Sequence, residues 1–124
     1  MPTGIYFKNP IEALLATRIR QTKYDCKKRR NLEFDLDLEY LVDLYNKQNG
    51  KCALSGWNLE CETGGEWYGN KNPRVCSIDR KDNSKGYIKG NVHLTCSYVN
   101  NLRGPMPLKE FRQMCRDISN NLQE

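Results

Sequence analysis

Val75-Cys76-Ser77-Ile78-Asp79-Arg80-Lys81-Asp82-Asn83-Ser84-Lys85-Gly86-Tyr87-Ile88-Lys89-Gly90-Asn91-Val92-His93-Leu94-Thr95-Cys96-Ser97-Tyr98-Val99-Asn100-Asn101-Leu102-Arg103 is the stretch on which the fold turns. Residues 75–79 read as a short strand. Asn83-Ser84-Lys85-Gly86 and Lys89-Gly90-Asn91 carry turn chemistry. Residues 92–95 read as a second strand, with Val92 and Leu94 on one face and His93 and Thr95 on a polar one. Residues 96–103 read as a short helix stopped by Gly104-Pro105, with Thr95, Tyr98, Val99 and Leu102 as its buried face. The order is strand, long loop, strand, helix.

Outward from this unit, Asn9 and Pro10 predict a helix start, as N-cap and first helical residue. Ile11, Leu14, Leu15 and Ile19 follow at helical spacing, with Cys26 later on the same face and the end frayed near Arg30. Residues 32–36 alternate apolar and acidic side chains, which suits a short strand or an extended link. Asp37 can cap a second helix with Leu38, Leu41, Val42 and Tyr45 as its stripe and Gly50 as its left-handed end. Residues 51–56 read as a strand running into a turn, and residues 60–73 as a long loop carrying Trp67 and Tyr68. Pro107 opens a last helix whose stripe, Leu108, Phe111, Met114, Cys115, Ile118 and Leu122, reads as core. The expected class is α+β. One domain spans residues 1–124, with a helical part over 9–50, a two-stranded hairpin plus short helix over 51–104, and a C-terminal helix over 105–124.

Charge is unevenly placed. Residues 18–30 hold seven bases (Arg18, Arg20, Lys23, Lys27, Lys28, Arg29, Arg30) and one acid, Asp25. Residues 31–45 hold five acids and no base, and residues 71–90 are basic again. Two basic blocks around an acidic one suggest a positive surface for a polyanion, or else solvated faces. No apolar run approaches the ~20 residues of a membrane span, and the N-terminus lacks a signal-peptide core. The expectation is a cytoplasmic protein with free thiols at its six cysteines.

Residues 76–87, then Gly90-Asn91-Val92-His93-Leu94-Thr95-Cys96, then Val99-Asn100-Asn101-Leu102-Arg103, resemble HNH (ββα-metal) endonucleases of the kind common in bacteriophage genomes. The chain is also similar to the recombination endonuclease VII branch, whose last helix carries Cys-x-x-Cys-Asn. Phe34-Asp35-Leu36, Leu44-Tyr45 and the run from Gln48 to Gly56 look like the lead-in of the phage proteins, so the resemblance covers residues 32–103. It implies a small ββα-metal core and hydrolysis of DNA phosphodiester bonds. It implies one divalent cation, Mg2+ or Mn2+, on Asp79 and Asn100, and an Asn91 that braces the loop. A hard cation takes oxygen ligands and must keep positions open for phosphate and water. Taken singly, Asp79 could be a turn cap and Asn100 a surface amide. The location would be the cytoplasm, that of the bacterial host if the chain is phage-encoded.

Two departures stand out. The family's general-base histidine follows the metal-binding aspartate, and here that residue is Arg80. Arginine stays protonated, with a pKa above ~12, so it can clamp phosphate but not take a proton. His93 is the one histidine of the chain and becomes the candidate base, beside Tyr87, Asp82 acting through water, and a metal-bound hydroxide. Relatives also carry two Cys-x-x-Cys pairs for zinc. Here Cys52 and Cys96 match the first members, while Ser55 and Val99 stand at the second, so a structural zinc is not expected. The DNA-facing residues implied are Lys27, Lys28, Arg29, Arg30, Lys81, Lys85, Lys89 and Arg103. The alternatives are an HNH-fold protein that binds DNA without cutting it, or a basic face that binds a protein partner. Oligomeric state stays open between monomer and homodimer.

Overall fold

The side-chain oxygen of Asn9 accepts the amide of Glu12 at 3.0 Å and Pro10 takes the first helical position, so α1 (Pro10–Asp25) starts where the sequence predicts. The computed structural model describes residues 9–63 and 71–122, and Trp67 and Tyr68 lie outside them. Ile11, Leu14 and Leu15 enter the core. Rather than fraying, α1 continues into a π-helical turn, Cys26–Arg30. The left-handed Asn31 (φ 51°) closes it, and the amide of Leu32 donates to the carbonyl of Cys26 at 3.1 Å. Cys26 is buried there, while Lys27, Lys28, Arg29 and Arg30 stay exposed.

Residues 31–37 form an extended link, not a strand proper. Phe34 makes a single parallel bridge with Tyr87. The amide of Tyr87 donates to the carbonyl of Glu33 (2.9 Å), and that of Asp35 to the carbonyl of Tyr87 (3.2 Å). Asp37 then accepts the amide of Tyr40 at 2.8 Å and starts α2 (Leu38–Lys47), with Leu41 fully buried. The chain leaves α2 through two left-handed residues, Asn49 (φ 56°) and Gly50 (φ 68°). A Cβ on Gly50 would also fall 2.9 Å from the Tyr45 hydroxyl, which is a second reason for glycine there.

The hairpin pairs β1 (Cys76–Arg80) with β2 (Val92–Cys96) antiparallel, in the register Cys76↔Cys96, Ile78↔Leu94, Asp79↔His93. Against the expected polar face, every residue of β2 is buried. The reason is packing: α1 lies on β1, α2 on β2, and α3 (Ser97–Arg103) on both strands. Beside β2, the amide of Gln48 does the work of a neighbouring strand. It donates to the carbonyl of Leu94 (2.9 Å) and accepts the amide of Leu94 (3.0 Å).

Three expectations are corrected. Residues 51–56 form a turn and not a strand, with the amide of Gly56 on the carbonyl of Cys52 and only a lone bridge from Lys51 to Asn58. In α3 the inward residues are Val99 and Arg103, while Tyr98 (52 % exposed) and Leu102 (61 %) face out. Burial of Val99 and the ion pair of Arg103 with Asp79 together fix which face of this helix turns inward. In α4 (Leu108–Asn121) only Phe111 is buried, and Ile118 and Leu122 remain exposed.

Candidate functional site

β1 delivers Asp79 near its end and α3 delivers Asn100, and both line one cleft of about 530 Å³ with Arg30, Arg80, Asn83, Tyr87 and Asn101. A larger hollow of about 710 Å³ is walled by Asp37, Glu39 and Asp43 with Lys89. Its acidic wall suits no polyanion, and among the predicted site residues only Lys89 borders it.

Asp79 is buried and engaged on both oxygens. Nε2 of His93 lies 2.8 Å from Oδ2, and Nη2 of Arg103 donates to Oδ1 at 3.1 Å. Arg103 also donates to the carbonyl of Met106 (2.8 Å), the carbonyl of Arg80 and, at 3.4 Å, to Oδ1 of Asn83. Its Nε is buried with no hydrogen-bond partner among the described residues. Arg103 is only 2 % exposed, so the expectation that it faces DNA is overturned. The attraction of a buried carboxylate across the helix–strand contact holds it inside.

His93 is not part of the cleft lining. It sits behind Asp79, directly across the hairpin from it, and commits its Nε2 to the carboxylate. Asn100 donates its Nδ2 to Oγ of Ser77 at 3.3 Å, which turns its carbonyl oxygen away from that contact. Asn91 braces the loop as the resemblance implies. Its Oδ1 accepts the amide of Asp82 (3.0 Å), and its Nδ2 donates to the carbonyls of Asp82 (3.1 Å) and Gly86 (2.9 Å). Arg80 braces the same loop, with Nη1 on the carbonyls of Asn83 and Lys85, both at 2.9 Å. Its guanidinium also lies 5.2 Å from the Tyr87 ring. Asp82 accepts from the hydroxyl and amide of Ser84, which hold its carboxyl below the usual range and make it a poor base.

The basic residues divide. Arg30 alone of residues 27–30 lines the cleft, where it donates to the Tyr87 hydroxyl at 3.3 Å and lies 5.8 Å from its ring. Lys27 and Lys28 are exposed, and Arg29 faces Asp25 at 3.7 Å. Lys81 and Lys85 are exposed on the loop. Lys89 pairs with Asp37 at 3.1 Å, so it is engaged by the acidic end of α2 and not presented alone to a polyanion.

The cysteines form a separate feature of the core. Sγ of Cys52 accepts the amides of Ser55 (3.4 Å) and Cys96 (3.3 Å). Burial pushes the Cys52 thiol up, but hydrogen bonds from Ser55 and neighbouring amides outweigh it and leave the thiol more acidic than usual. Burial pushes the Cys76 and Cys96 thiols up to about 12. Among the described residues no group of three or more His, Cys, Asp or Glu side chains is arranged to hold a metal. No described helix is long and apolar enough to cross a membrane.

Two structural residues went unread in the sequence. Asn72, fully buried, ties Glu60 and Glu62 to Arg74 and anchors the end of the long loop. The inward Arg103 is the other, and its only sequence signal is its place one helical turn after Asn100.

No family model matches the chain, and no solved structure matches it. An uncharacterized 29.0 kDa protein in the dda-modA intergenic region of Enterobacteria phage T4 is 34% identical over 94 residues. Those residues make up 76% of this chain and 34% of that protein, so the chain spans about a third of the length of the phage protein to which it is similar.

Proposed function

We propose that this chain is a metal-dependent DNA endonuclease of the HNH, ββα-metal type. The observation that carries the reading is the convergence of Asp79 and Asn100 on one cleft with Arg30, Arg80 and Tyr87. The donor set suits a hard cation: one carboxylate, and one amide whose nitrogen is turned to Ser77. Asp79 and Asn100 would hold the cation, Mg2+ or Mn2+, which when bound would supply charge stabilisation to the phosphate and to the leaving 3′ oxygen.

The chain's own residues do the rest. Arg30 and Arg80, both beside the Tyr87 ring, bring positive charge to the cleft and bind the phosphate backbone. Asn91 holds the loop that follows β1, and so fixes where Arg80 sits. His93 orients Asp79: its Nε2 lies 2.8 Å from Oδ2 and fixes the carboxylate from across the hairpin. Hydrolysis joins a water oxygen to phosphorus and breaks the bond from phosphorus to the 3′ oxygen. One such site cuts one strand.

Supercoiled plasmid tests the reading. Conversion to nicked circle in Mg2+ or Mn2+, suppressed by EDTA and lost in Asp79→Asn, is the expected result. Intact plasmid under every cation condition would sink it. Arg80, at the family's histidine position, favours a second reading, an HNH-fold protein that binds DNA without cutting it. Salt-sensitive DNA binding with no nicking would establish that reading instead. The phage relative suits either one.

A further inference from the structure

A guanidinium lies directly on the carboxylate that the preceding reading makes a cation ligand. Its surroundings are unusual in three respects. The contact with Asp79 is a single one, Nη2 to Oδ1, not the two-pronged pairing that arginine and carboxylate adopt when free to choose. The other carboxylate oxygen belongs to His93. Nε of Arg103, the atom a two-pronged pairing could use, is buried without a partner.

Arg103 is also tethered independently of Asp79. The carbonyls of Arg80 and Met106 and the side-chain oxygen of Asn83 all accept from it. Those oxygens keep the guanidinium in place whichever way the carboxylate turns. With 2 % exposure it has no route to solvent as a surface arginine has. A fixed positive charge therefore stands within contact distance of Asp79. In a poorly screened interior, two like charges a few ångströms apart repel by several-fold more than they do in water.

We infer that Arg103 is an internal counter-ion for Asp79 that competes with a divalent cation for the carboxylate, so that the chain alone binds the cation weakly and DNA must help to load it. The inference rests on the reading of Asp79 as a cation ligand. Phosphate oxygens entering the cleft beside Arg30 and Arg80 add the negative charge that Arg103 cancels. Cation and DNA then strengthen each other's binding to the same degree, as linkage requires.

The test is Mn2+ titration of the full chain without DNA, followed by calorimetry and by the electron spin resonance of free Mn2+. Arg103→Gln removes the charge and keeps a hydrogen-bonding side chain. It is expected to bind Mn2+ at least about tenfold more tightly than wild type. Adding Asp79→Asn to that variant should abolish the gain. Unchanged or weaker Mn2+ binding by a natively folded Arg103→Gln overturns the inference. Should Arg103→Gln not fold, Arg103→Lys serves, because a flexible ammonium can draw back from the carboxylate. A gain of roughly threefold is expected there, and no gain overturns the inference equally. Wild-type Mn2+ affinity should also rise on adding a short DNA duplex. Plasmid nicking separates the two readings: a tighter Mn2+ site in Arg103→Gln with no nicking by any form sinks the nuclease and leaves Arg103 as inferred. Nicking by wild type with no tightening in the variant sinks the role of Arg103 alone.

Discussion

Nε2 of His93 lies 2.8 Å from Oδ2 of Asp79, directly across the hairpin, with both side chains buried. Under the proposed nuclease function, that relationship makes the histidine a positioning residue. His93→Ala should lower the nicking rate by about 10- to 100-fold, as loss of an orienting partner does. His93→Gln, which can still donate to Asp79, should recover most of the rate. A general base would lose about two to four orders of magnitude in both variants. Rate against pH for the two variants decides between these outcomes.

Asp79 pairs with a buried arginine as well as lining the cleft. Asp79→Ala leaves the Arg103 charge buried and uncompensated, which should destabilise the fold by about 3–5 kcal/mol. Asp79→Asn keeps the shape and should cost less while still abolishing cleavage. Urea unfolding of both proteins, beside a nicking assay, measures the two effects separately. Equal stability of Asp79→Ala and wild type would show that Arg103 finds another partner.

Gly86 is packed against the extended link before α2. A Cβ there would meet the carbonyl oxygen of Glu33 at 2.3 Å and its amide nitrogen at 2.8 Å. Gly86→Ala must therefore push residues 33–35 away from Tyr87 and strain the hydrogen bonds that seat it. A loss of about 1–3 kcal/mol is expected, the usual range for overpacking. Because Tyr87 lines the cleft, weaker DNA binding should accompany it in a fluorescence anisotropy titration.

Arg30 should matter more than its three basic neighbours. Arg30→Gln is expected to weaken DNA binding and to reduce the slope of log K against log salt by about one. Arg29→Gln, which removes a partner of Asp25, should change the slope less. A larger effect from Arg29 would place the bound DNA outside the cleft.

Cys76 and Cys96, with thiols pushed up to about 12 by burial, should stay neutral and unmodified by iodoacetamide up to about pH 9. A raised thiol pKa keeps the unreactive form below it, so reactivity appears only on unfolding. Exposed Cys115 should be alkylated first. Mass spectrometry of the labelled native protein checks the order.

Local signals were legible in the sequence because they act over a turn of chain. Asn9 with Pro10, and Asp37, announce their helices through capping atoms three residues away. The hairpin follows from its turn residues, and the resemblance to HNH endonucleases singles out Asp79 and Asn100, which line one cleft. What escaped depends on partners far along the chain. Arg103 reads as a surface base until Asp79 is seen beside it, and the apolar Leu102 then faces out because its neighbour faces in. The stripe of α4 predicted a core helix, but only Phe111 is buried, Met114 packs partly on the core, and Ile118 and Leu122 find too little protein to lie against. The π-helical turn leaves no mark in composition at all.

That turn has a consequence for how the chain can vary in length. A π turn is an α-helix that has absorbed one additional residue. Deleting one of Lys27, Lys28 or Arg29 would let α1 continue in ordinary register to its end. Because the wide turn already takes up the additional residue, Arg30 would then keep nearly the same place on the helix face, beside Tyr87. Ile11, Leu14 and Leu15, which precede the deletion, would keep their places in the core. A chain one residue shorter here should thus carry the same fold and still set the residue before Asn31 against Tyr87, so the wide turn lets length change without moving the cleft wall.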